Sequence, residues 1–138
     1  MTSIYKIFIN QEEIGTSLLE SGDPPMGVAS GLIRLNNISI RALESMLLQI
    51  ESTQSIDGVI NCHEPGVVKV IHPDGFELSG QGSVIENFLE LEECHVTILG
   101  IHHEMYEKLF LHHIEKYRNN FKYIFLSQRF QTLQHDKI

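Results

Sequence analysis

The chain reads as an α+β domain, a mainly antiparallel sheet packed by two amphipathic helices. Three observations predict this. Most of the chain falls into short segments that alternate or are rich in β-branched residues, and glycine- or proline-marked turns separate them. Two stretches change period, with apolar residues three and four apart. The 138 residues, 42% hydrophobic and 20% charged, suit one globular domain large enough to bury a core. We assign residues 1–126 to that domain and residues 127–138 to a flexible C-terminal tail.

The first strand is residues 4–10: Tyr5, Ile7 and Ile9 share one side, and Ile4, Lys6 and Phe8 the other. "QEEIG" then closes a hairpin. In "LESGDPPMGVASG", residues 19–31, Pro24 and Pro25 fix φ, so no helix runs through. This stretch looks like an active-site loop, but it reads better as a stiff connector whose glycines allow close backbone approach. Residues 27–35 regain strand character, with a bulge or close contact expected near Gly31. Ile40, Leu43, Leu47 and Ile50 then paint one stripe on a helix of residues 39–52, for which Asn37 or Ser39 is a suitable N-cap.

Residues 53–66 read as loop with at most a brief strand, marked by Asp57-Gly58 and Pro65-Gly66. "VVKVIHPDGFELSG" is a hairpin signal around His72-Pro73-Asp74-Gly75. Residues 83–94 are ambiguous between an edge strand and a short helix, since Glu86, Glu90 and Glu93 share a helical face whereas Glu90 and Glu92 share a strand face. "HVTILGI", residues 95–101, has the composition of a central strand. The second helix follows, because Tyr106, Leu109, Phe110, His113, Ile114 and Tyr117 fit offsets 0, 3, 4, 7, 8 and 11. "FKYIFLS" beyond it extends the helix or forms a last strand.

Net charge is −8 and unevenly placed. Residues 1–104 hold 15 acidic and 4 basic side chains, and residues 105–138 hold 3 and 6. Between Lys69 and Lys108 there is no lysine or arginine. Such a surface repels phosphate backbones, which argues against direct nucleic-acid binding. It suits a solvated acidic face or a docking surface for a basic protein. No apolar run approaches the roughly 18 residues of a membrane helix. The N-terminus lacks the pattern of a secretory signal, so a cytoplasmic location and reduced Cys62 and Cys94 are expected.

The motifs of catalysis and metal binding fail one by one. His102 and His113 share a helical face but lie about 16 Å apart along its axis. His103 and Glu107 supply two ligands where zinc needs three or four, and HExxH is absent. The Cys62-His63 and Cys94-His95 pairs are sequence neighbours, which rarely chelate together. "GVASG" has Val28 where a nucleophile elbow needs glycine, and "SGQGS" lacks the lysine of a phosphate-binding loop. Neither a metal nor a cofactor is expected.

The strings "YKIFINQEEIGTSLLESGDPPMGVASG", "HPDGFELSGQGSVIENF" and "VTILGIHHEMYEKLFLHHIEKY" together resemble a group of small bacterial proteins associated with polymorphic toxin–immunity loci. The likeness spans residues 4–118 and carries no catalytic residue with it. It implies a non-catalytic immunity-type inhibitor of a basic toxin domain. The docking residues expected on charge grounds are Glu86, Glu90, Glu92 and Glu93, with Glu20 and Asp23 next. Two alternatives stand beside it. One is a small hydrolase-like enzyme using Asp23, His102 or His103 near "DPPMG". The other is a homodimer through the aromatic segment Phe121 to Phe130.

Overall fold

The computed structural model describes residues 3–120 of the chain. The expectations for "FKYIFLS", for the segment Phe121 to Phe130 and for the tail at 127–138 lie outside those residues.

The expected α+β class is observed. Strand β1, Tyr5–Ile9, turns into β2, Glu12–Ser17, through Asn10 and Gln11, whose φ values of 49° and 71° are both positive. That is the backbone of the primed two-residue turns that match strand twist. "QEEIG" is therefore mostly the second strand rather than the turn.

Next come β3, Ser21–Asp23, and β4, Val28–Leu35, joined by a single 3-10 turn at Pro24–Met26. The prolines exclude an α-helix here, yet their fixed φ suits the first positions of this tight turn. Gly27, at φ 65°, ends it.

Helix α1, Ile40–Leu48, starts at Ser39, whose hydroxyl accepts the Ala42 N–H at 3.0 Å. It buries Leu43 and Leu47, and Ile50 just beyond its end is buried too. The region expected to be mostly loop contains two strands, β5, Gln54–Ile56, and β6, Val59–Cys62, turning at Asp57-Gly58. A four-residue strand, β7, Val68–Ile71, leads into the Pro73-Asp74-Gly75 turn. The far arm of that hairpin is only a bridge from Ile71 to Glu77.

The ambiguous segment resolves as strand: β8, Gly82–Phe88, and β9, Glu93–Leu99, form a hairpin with register Phe88 to Glu93. β8 is no edge, since β6 pairs its other side. β9 is central, between β8 and β4.

All pairings are antiparallel, in the order β5-β6-β8-β9-β4-β2-β1-β7, with β3 beside β4. β4 serves both halves of the sheet: residues 33–35 pair with β2, and residues 28–32 with β3 and β9. A strand that changes neighbours in mid-course turns the corner between two packed layers. The corner has a visible cause. Between the pairs Ser17 to Ile33 and Ser21 to Ser30, residues 18–20 face only residues 31–32, a one-residue bulge. Leu19 takes φ 47° there, and Gly31 gives the bulge room. The curled sheet encloses Ile7, Ile9, Ile14, Leu19, Ile85, Val96 and Ile98 in one core.

The second predicted helix is two. α2, His103–Leu109, ends at Phe110, whose φ of −124° and ψ of 37° are not helical, and residues 111–120 resume as α3. Phe110 is buried against Tyr5, Tyr106 and His113, with ring centroids 5.1 to 6.0 Å apart. Beyond the break the predicted stripe buries His113 and packs Ile114 on the core, while Tyr117 is exposed.

Candidate functional site

The acidic residues singled out by charge divide by position. Glu86 lies on β8 opposite His95, and Glu93 opens β9. Glu90 and Glu92 sit in the turn between these strands, both exposed. Side chains alternate along β8: Ile85 and Asn87 point into the core, so Glu86 and Phe88 point out. Glu93 and His95 share that outer face, with the Glu93 carboxylate 3.1 Å from His95 Nε2. Phe88 meets the His95 ring edge-on at 5.2 Å. Among the described residues, no lysine or arginine forms an ion pair with any of the four glutamates. All four belong to one hairpin, Glu86 and Glu93 on its outer face and Glu90 and Glu92 in its turn.

Glu20 borders that face by a different route. Its carboxylate accepts the Leu32 N–H at 2.9 Å, and Leu32 is the β4 residue opposite His95. The bulge leaves that N–H without a strand partner, and the side chain supplies one. Asp23 is elsewhere, opposite Val28 at the far end of β4 from the β8–β9 turn. There it adds to burial in pushing the Tyr106 hydroxyl up to about 12, while that hydroxyl donates to Val28 O at 2.8 Å.

Sequence reasoning missed an apolar row on the same outer surface. The register aligns Lys6, Thr16 and Arg34 across β1, β2 and β4. Ile4, Leu18 and Leu32, each two residues further along, come together beside them, 55%, 48% and 44% exposed. With Glu20 and Arg34 they line a hollow of about 290 Å³. Its residues come from three segments, so no local periodicity announces it.

A larger groove, about 780 Å³, is lined by Pro24, Pro25 and Met26 together with Ser79, His102, His103 and Glu107. The stretch read as a connector thus also forms a wall. Its chemistry is sparse: His102 Nδ1 accepts the Glu104 N–H at 3.4 Å as a helix cap, and His103 sits 3.5 Å from the Glu107 carboxylate on the exposed helix surface. Asp23 does not line the groove. Among the described residues, Ser79 is hydrogen-bonded to neither histidine, and no three His, Cys, Asp or Glu side chains are grouped to hold a metal ion.

His113 is buried, and its Nε2–H donates to Leu19 O at 2.8 Å, so α3 is tied to the bulge. Burial holds the imidazole below its ordinary pKa, with His112 and Lys116 acting in the same sense, against the Leu19 bond and Glu20. Cys62 and Cys94 are free and buried, and burial pushes the Cys94 thiol up to about 12. No helix among the described residues is long and apolar enough to cross a membrane.

A scan against protein-family models finds no match, and searches of curated proteins and of solved structures likewise find none.

Proposed function

We propose that the protein is a non-catalytic binding module that docks its acidic β8–β9 face on a basic protein partner, as an immunity protein covers the active site of a toxin domain. The reading is supported by one observation above all. Glu86, Glu90, Glu92 and Glu93 stand on a single hairpin, and among the described residues none is paired with lysine or arginine. Charges left this way serve encounter: a negative field speeds association with a positive surface and rejects negative ones. Tight affinity needs a desolvated centre in addition.

The test is affinity capture from the source cell, comparing the natural chain with a Glu90→Lys, Glu92→Lys variant. Both positions lie in an exposed turn, so the fold should be retained. A basic protein retained in stoichiometric amount by the natural chain, and associating more slowly with the variant at low salt, is the expected result. Equal association rates at low salt would remove the acidic face from the mechanism.

A further inference from the structure

We infer that the hollow bounded by Ile4, Leu18 and Leu32 is the apolar centre of that docking surface, and that it receives an aliphatic or aromatic side chain flanked by lysine or arginine on the partner. The inference rests on the reading of the β8–β9 face given above.

Three large aliphatic side chains, each about half exposed, lie side by side on the solvent face, Leu32 on β4, Ile4 just before β1 and Leu18 just after β2. Single exposed leucines are ordinary, but a contiguous row in a concavity is the pattern of an interaction site. The row does not end at β4. Leu32 is opposite His95, and His95 is opposite Glu86, so the apolar hollow passes directly into the acidic face. An apolar centre with a charged rim is the anatomy of protein–protein contacts whose energy is concentrated in a few buried anchors.

The rim selects the occupant. Glu20 is held beside Leu32 by its bond to the Leu32 N–H, and Glu86 and Glu93 follow along the sheet; among the described residues the hollow is lined by one cation, Arg34, and the neighbouring Lys6 is paired with Glu13. A second copy of this chain seated on the same face would bring these carboxylates against their counterparts, in a molecule of net charge −8. A basic segment meets opposite charge on the rim and apolar surface at the centre.

A random-peptide display library panned at low salt against the full chain tests this. Enriched peptides should carry lysine or arginine around one or two apolar residues. Their synthetic copies should bind a Leu18→Ser, Leu32→Ser variant at least about tenfold more weakly. Leu48→Ser, at a leucine of similar exposure on α1, should leave affinity unchanged. Should thermal melting show that the double variant has lost its fold, Ile4→Ser, outside the strand itself, takes its place with the same expected loss.

Basic peptides that bind the hollow variants as tightly as the natural chain, yet weaken on Glu90→Lys, Glu92→Lys, would overturn the hollow and leave the acidic face standing. Enriched peptides without basic residues, or no enrichment, would overturn both. A dimer in light scattering that dissociates in the Leu18, Leu32 variant would assign the hollow to a second copy and overturn the inference.

Discussion

Replacing Gly31 by alanine probes the corner on which the fold depends. The glycine has no unusual φ, so alanine is acceptable to its backbone and any effect is steric. A Cβ there would lie 2.5 Å from Ser17 Oγ and 2.9 Å from Leu19 Cα, and would press on the Glu20 carboxylate as well. The carboxylate can swing away only by releasing the Leu32 N–H, a charged hydrogen bond worth about 1.5–3 kcal/mol. Leu19 is backbone at φ 47° with a fully buried side chain, so moving it strains the packing by about 1–3 kcal/mol. Together the cost is about 2.5–6 kcal/mol, which at a urea slope of about 2 kcal/mol/M lowers the midpoint by about 1.2–3 M. Gly82→Ala is the control, since a Cβ there meets nothing within 4 Å. Equilibrium urea unfolding of both variants decides. A Gly31→Ala midpoint equal to that of Gly82→Ala would refute the account of the bulge.

The remaining predictions concern the cap, the buried imidazole and the thiols. Ser39→Ala deprives the Ala42 N–H of its acceptor and should cost about 1 kcal/mol in the same titration, with Ser39→Asp recovering most of it. His113 has a folded pKa below its unfolded value near 6.5, so the unfolded chain takes up the proton first. Its contribution to stability is whole above about pH 6.5 and falls as pH drops below that, by at most about 1.4 kcal/mol per pH unit. His113→Gln, whose amide can still donate to Leu19 O, should flatten that part of the stability profile, and an unchanged slope would exclude His113 as its source. Cys62 and Cys94 should resist a thiol reagent at pH 8 in the native chain and react fully in guanidinium, and rapid native labelling of Cys94 would contradict its burial.

The turns and the first helix were legible because local chemistry specifies them, whereas the strands β5 and β6 around Asp57-Gly58 read as loop. Asp57-Gly58 and Pro73-Asp74-Gly75 turn where their φ preferences demand, and Ser39 caps α1 as a short hydroxyl can. β8 was illegible for a physical reason: Asn87 occupies a core position, its amide donating to Ile40 O, so the apolar alternation of the strand is broken where it matters. The break at Phe110 has no glycine or proline to announce it. It is set by packing on Tyr5, 105 residues away along the chain. The charge run located the acidic hairpin, but not its neighbour. Ile4, Leu18 and Leu32 meet only through register, which a residue-by-residue reading does not contain.

β4 holds a further meaning for the chain as a whole. Its N-terminal half is bonded to β9 and its C-terminal half to β2, so peeling either layer away exposes the amides of the other. Any fragment that omits residues 28–35 takes the pairing partner from β2, β3 and β9 at once.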